Sequence, residues 1–222
     1  MEGERPEGRA PGNPAPEASP TIRTVAAFDF DGTLSTRDNV VPFLRSAVGS
    51  ATLAGALVAI SPRLLGAARD DRRRDAAKAA LVRRTLTGYD ADELTHVAER
   101  FAERVVRKHL RADAVERAEW HRGQRHELVI VSASLTVYLE PIAAELGFDA
   151  VLGTELEVGR DGNLTGALAG PNVRRAEKAR RLDAWLGDRP AFVWAYGDST
   201  GDRELFERAD RAIRVGRRFP RR

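Results

Sequence analysis

The chain has 222 residues, 42% of them hydrophobic and 31% charged, with a net charge of +3. That is enough apolar material for a packed core and excludes a wholly disordered protein. The lack of cysteine excludes a disulfide framework, a thiol nucleophile and a cysteine-ligated metal, and His96, His109, His121 and His126 lack the spacing of common zinc sites, which leaves carboxylates as metal ligands and points to Mg²⁺.

Residues 1–20 hold five of the eleven prolines and no Leu, Ile, Val or Phe, so they read as a disordered tail without a secretory signal. Residues 22–30 (IRTVAAFDF) read as a short buried strand ending in carboxylates. From about 38 to 123 the apolar spacing turns helical, with helices expected at 38–48, 51–67, 71–87, 91–109 and 112–122. Gly88 reads as a helix stop and Asp90 as the next cap. A buried strand at 127–132 follows, then a helix at 135–146 with Gly147 as its C-cap, and a short strand at 150–152. The stretch 154–168 alternates around Asp161-Gly162 and reads as a hairpin. A helix at 173–186, a strand at 191–196, a helix from about Thr200 and a strand at 211–215 complete the order. Strand and helix alternate at both ends, which predicts an α/β fold whose parallel sheet carries helices on both faces, interrupted by a helical insertion.

No run of about 20 apolar residues is apparent, so no transmembrane span is expected. The nearest, Ser46 to Pro62, is broken by Gly49, Ser50, Gly55 and Ser61. Of the 36 basic residues only Lys78, Lys108 and Lys178 are lysine, so the arginine excess reads as a compositional bias, and no nucleic-acid partner is expected. The run Arg72-Arg73-Arg74 sits in DDRRRD, which neutralises itself, while the C-terminal arginines form a basic tail.

Four short segments carry chemistry. In FDFDGTLS (28–35), Asp29 and Asp31 follow a strand at i and i+2, where open parallel sheets bind ligands, and Gly32 allows a turn whose amides can cradle a phosphate. Asp-Gly is also a common turn pair. In VIVSAS (129–134), Ser132 ends a strand, where its hydroxyl and the next amides fit either a phosphate oxygen or a helix N-cap. Lys178 is a single lysine among Arg174, Arg175, Arg180 and Arg181, which suggests a compact charge is required there. In WAYGDSTGD (194–202), Asp198 and Asp202 lie four apart at a strand-to-helix turn and suit an oxygen shell for Mg²⁺.

Taken in this order, the segments resemble the haloacid dehalogenase-like hydrolase superfamily over about residues 25–216, and its phosphoserine-phosphatase-like branch in particular, subfamily IB. The resemblance implies a Rossmann-like core at 21–36 and 124–217, a helical cap at 37–123, and tails at 1–20 and 218–222. It implies that Asp29 is the nucleophile that forms an aspartyl-phosphate. Asp31 would be the acid and base, and Ser132 and Lys178 would hold the phosphoryl group. Mg²⁺ would sit on the Asp29 carboxylate, the Asp31 carbonyl and Asp198, with Asp202 in or beside that shell. Gly32, Thr33 and Ala133 would contact the substrate. The presence of Asp31 favours phosphoester hydrolysis over dehalogenation. Asp38 stands where phosphoserine phosphatases carry a Glu that reads the substrate amine, and it fits a helix cap equally well. The apolar segment 51–68 reads as cap core, with an apolar substrate channel or an interfacial helix as alternatives. The expected function is Mg²⁺-dependent hydrolysis of a small organic phosphate in the cytoplasm. A lipid-phosphate phosphatase, a phosphotransferase and a non-catalytic binder of phosphate or nucleic acid are the alternatives.

Overall fold

The computed structural model describes residues 22–64, 70–216 and Phe219. The N-terminal tail and, Phe219 apart, the basic C-terminal tail lie outside the described residues.

Strand β1 (Arg23–Phe28) carries the apolar run read from the sequence and sits at the centre of a five-stranded parallel sheet. Its neighbours are β2 (Glu127–Leu135), followed outward by β3 (Ala150–Thr154), and on the other side β6 (Ala191–Gly197), followed by β7 (Arg211–Arg214). A central parallel strand is covered on both faces, which is why its sequence is continuously apolar. Val25 and Ala27 point to the face covered by α6 (Ala176–Leu186) and α7 (Arg203–Arg208). Ala26 and Phe28 point to the face covered by α4 (Ala112–Gly123) and α5 (Thr136–Leu146). There Phe28 stacks on Tyr196 with ring centroids 4.4 Å apart. Two histidines far from metal-ligand spacing meet beside them: His121 Nδ1 is 2.8 Å from His126 Nδ1, and His121 Nε2 is 2.8 Å from the Tyr196 hydroxyl. Burial pushes His121 down to about 3, so it is a neutral ring of the core, with His126 at its edge.

The insertion is helical as expected. Helix α1 (Val40–Leu64) is bent where Gly49 takes φ 79° and ψ 166°, the break read between two helices. From Val40 to Pro62 it is long and apolar enough to cross a membrane by length and composition, a stretch that overlaps the run Ser46 to Pro62 discounted above for its glycines and serines. Here its Phe43, Leu44, Leu53, Ala56 and Ile60 pack into the protein. Helix α2 (Asp71–Leu86) starts at Asp70, whose carboxylate caps Arg72 N, and α3 (Ala91–Lys108) at Asp90, which caps Glu93 N. The buried face of α3 repeats at helical spacing through Leu94, Val97, Ala98, Phe101 and Val105. Phe101 meets Phe43 and Tyr138 at 5.4 Å each, joining α1, α3 and α5.

The expected hairpin is β4 (Leu156–Val158) and β5 (Leu164–Leu168), turning at Gly162 with φ 81°. It is fastened to the insertion. Gly88 N donates to Leu164 O and Leu164 N to Tyr89 O, both at 2.8 Å, and Ala91 N donates to Gly162 O at 3.1 Å.

Candidate active site

The end of β1 is held in place before any side chain is considered. Asp29 N donates to Tyr196 O at 2.8 Å, so the backbone still follows β6 where the carboxylates begin. The Asp29 side chain is buried against Lys178, whose Nζ lies 2.7 Å from Asp29 Oδ1 and 2.5 Å from Asp202 Oδ1. Lys178 reaches there from the first turn of α6. That helix is set by Arg175, whose φ of 52° is unusual for a side-chain-bearing residue and whose N–H bonds Gly201 O at 2.9 Å. Burial works against the charge of Lys178, but the two carboxylates outweigh it and raise its pKa. Burial pushes Asp29 up to about 6, with Lys178 holding it from going higher. Asp202 is anchored at its other oxygen, which accepts from Ser199 N and Ser199 Oγ at 3.0 Å each.

Asp31 has different company. Its Oδ2 accepts from Ser134 Oγ at 2.6 Å and its Oδ1 from Asn39 Nδ2 at 2.7 Å. The Tyr138 hydroxyl in turn donates to Ser134 Oγ at 2.7 Å. Burial, helped by the negative charge of Asp38, pushes Asp31 up to about 7, so it exchanges a proton near neutral pH. Between the two carboxylates and Asp198 the chain turns at Gly32, with φ 79°; a Cβ there would lie 2.2 Å from Asp198 Oδ2, so only glycine fits.

Ser132 ends the regular part of β2, where the pairing with β3 shifts register between Val131 and Leu135. Its Oγ accepts from Ser134 N at 3.1 Å. Asp29, Asp198 and Asp202 offer carboxylate oxygens all within 4.8 Å of one another, with Asp198 the most open of the three. A cluster of hard oxygen donors suits Mg²⁺. Burial first and Asp202 second raise the pKa of Asp198, while Lys178 and Arg214 hold it down.

These side chains open onto a cavity of about 490 Å³ between the strand ends and helices α1 and α2. Asp29, Asp31, Gly32, Asp38, Ser132, Ala133, Lys178 and Asp198 line it. Asp202 is fully buried behind Lys178. Thr33 is also fully buried, its hydroxyl without a protein partner, and it is not among the lining residues. Asp38 Oδ1 accepts from Val40 N at 3.0 Å, which caps α1, while the residue also faces the cavity. Sequence reasoning missed Ser134, Asn39 and Tyr138, which fix Asp31, and Lys78, Asp75 and Asn172, which tie α2 to the sheet. A signal existed for one of them: Lys78 is as isolated among arginines as Lys178.

Comparison with known proteins agrees with this geometry. The family model for haloacid dehalogenase-like hydrolases matches residues 26–207. The chain is 38% identical over 186 residues to protein CicA of Caulobacter vibrioides, covering 84% of this chain and 83% of that one. It is 34% identical over 91 residues to a phosphoserine phosphatase of Archaeoglobus fulgidus, covering 40% of this chain and 26% of that one. A structure of a protein of unknown function from Bordetella pertussis Tohama I superposes with a TM-score of 0.75 at 27% identity, covering 87% of this chain and 90% of the other. A phosphoserine phosphatase solved as a phospho-aspartyl intermediate analogue shares the fold, with a TM-score of 0.63 at 19% identity and 87% of each chain covered.

Proposed function

The chain belongs to the haloacid dehalogenase-like hydrolases and is a phosphatase, and from that premise we propose that it hydrolyses a small organic phosphomonoester through an aspartyl-phosphate on Asp29. Asp29 attacks phosphorus as the bond to the leaving oxygen breaks, and Asp31 gives its proton to that oxygen. Asp31 then takes a proton from the water that attacks the aspartyl-phosphate, and inorganic phosphate leaves. Lys178 and Ser132 hold the phosphoryl oxygens and offset their charge. Asp29, Asp198 and the Asp31 carbonyl would hold Mg²⁺, with Asp202 beside them. Mg²⁺, when bound, supplies positive charge that relieves the repulsion between Asp29 and the phosphate. In this reading the substrate contacts Gly32, Ala133 and Asp38 from the cavity side, whereas the burial of Thr33 favours a supporting role for it. The cap comprises residues 37–123 and the core 21–36 and 124–217.

The observation that carries this reading is the division between the two carboxylates. One is paired with a buried lysine and the other is held by a neutral hydroxyl and a neutral amide; burial raises both, to about 6 and about 7, so it is their partners that divide them. That is the split a nucleophile and an acid require. The test is turnover of p-nitrophenyl phosphate and a phosphate-ester panel, with Mg²⁺ and with EDTA, for wild type and Asp29→Asn. Mg²⁺-dependent turnover that falls by about 10⁴-fold or more in the variant supports the assignment. Equal turnover by the two proteins overturns it.

The apolar wall of the cavity, formed by Val40, Leu57, Ile60 and Leu81, favours a second reading in which the leaving group is amphiphilic. Higher kcat/KM for a short-chain lipid phosphate than for phosphoserine or sugar phosphates in the same panel would select it.

A further inference from the structure

Lys78 lines the cavity from α2, on the side opposite the carboxylates' own strands. Its ammonium donates to the backbone oxygen of Ala133 and, at 2.5 Å, to Asn172 Oδ1. From β3, Thr154 Oγ1 lies 3.0 and 2.9 Å from the same two acceptors, between which its one proton is shared. One turn before Lys78, Asp75 Oδ1 accepts from Asn172 Nδ2 at 2.6 Å, so α2 grips both ends of that amide. Burial pushes Lys78 down to about 8, while Asp75, Asp31 and Asp38 hold it up, so the ammonium form prevails at neutral pH.

The Ala133 carbonyl is one end of the peptide unit that joins Ala133 to Ser134. Its other end, Ser134 N–H, donates to Ser132 Oγ at 3.1 Å. A peptide is planar, so whatever fixes the carbonyl also aims the N–H. A cation on the carbonyl further polarises the unit and strengthens the N–H as a donor, and a charged donor does this more than the Thr154 hydroxyl. Lys78 therefore reaches the Ser132 hydroxyl through one rigid group.

We propose that Lys78 is a positioning residue: from the helical insertion it fixes and polarises the Ala133–Ser134 peptide, and so holds the Ser132 hydroxyl where it receives the phosphoryl group. The proposal rests on the role given to Ser132 above. It ties assembly of the phosphate cradle to the seating of α2 on the sheet.

The test is a double-mutant cycle on the full chain with p-nitrophenyl phosphate and Mg²⁺, using wild type, Lys78→Met, Ser132→Ala and the double variant. Lys78→Met is expected to lower kcat about 10- to 100-fold, the scale of a small misplacement. In the Ser132→Ala background the same change is expected to cost less than about 3-fold, because no hydroxyl remains to be positioned. Multiplicative losses would overturn the proposal, because they would mean that Lys78 touches the leaving group or merely braces the cap. An unchanged kcat in Lys78→Met would overturn it as well. Wild type inactive toward every ester would instead overturn the function on which the proposal rests. Melting curves establish that each variant is folded, and Lys78→Ala replaces Lys78→Met if the latter does not fold.

Discussion

The floor and the wall of the cavity are built on different principles. The floor gathers its side chains from the ends of β1, β2 and β6 and the start of α6, and each is gripped by its neighbours. Asp29 pairs with Lys178, Asp202 with Lys178 and Ser199, and Asp31 with Ser134 and Asn39. The wall comes from α1 and α2, is largely apolar, and meets the floor through a few polar contacts centred on Asn172. The contrast separates two tasks. Charged groups that handle a phosphoryl need fixed geometry and are set in a sheet, whereas the part of a substrate that varies is met by an inserted segment.

The comparison breaks most visibly if the floor is robbed of its central cation. Lys178→Met leaves Asp29 and Asp202 buried without their shared partner. The expected cost is about 3–5 kcal/mol of stability and about 10³-fold in turnover. Thermal melting in EDTA and steady-state kinetics read both, and a variant as stable and active as wild type would refute this account of the floor.

Asp31→Asn sharpens the point. Turnover should fall about 10²-fold, more for an alkyl phosphate than for p-nitrophenyl phosphate, whose leaving group hardly needs a proton. In wild type, kcat/KM should decline above about pH 7 as Asp31 loses its proton, and the variant should lack that limb. The substitution should act on stability in the opposite sense to turnover. The folded pKa lies above the ordinary 3.8, so the contribution of Asp31 is present at low pH and is lost as pH rises through about 7. Asp31→Asn should therefore melt higher than wild type at pH 8 and show no such gain at pH 4.

Asp38→Ala, on the wall, should do least. Loss of its bond to Val40 N should cost about 1 kcal/mol. Removing its negative charge should lower the Asp31 pKa and shift the alkaline limb of the rate profile below 7. A KM that rises more than about tenfold for the preferred ester would show that Asp38 also contacts substrate.

The floor was legible in the sequence because each piece is local. Asp29, Ser132 and Asp198 follow apolar runs that form the predicted strands, and Lys178 stands out among arginines. What the sequence did not reveal depends on distant segments meeting. Ser134 reaches Asp31 across 103 positions, and Lys78 reaches Asn172 across 94, and no periodicity encodes either contact. The hairpin is legible from the alternation of 154–168 around Asp161-Gly162, but its attachment to the helices is not, because backbone bonds between remote segments leave no mark on side-chain pattern. The break in α1 was legible for the same reason as the floor: Gly49 is a local signal, and its backbone is non-helical between two helical stretches.

That hairpin also bears on how the chain can be assembled as it leaves the ribosome. The amide and carbonyl groups of Gly88, Tyr89 and Ala91 find their partners at Gly162 and Leu164, more than seventy positions later. The central strand waits longer still, since β1 pairs on one side with residues 191–196. Helices α1 to α3 therefore emerge together and can pack on one another, Phe43 of α1 against Phe101 of α3, well before the hairpin to which Gly88, Tyr89 and Ala91 bond. The order of synthesis makes the apolar strand β1, rather than the helical insertion, the part of the molecule that waits longest for a partner before folding is finished.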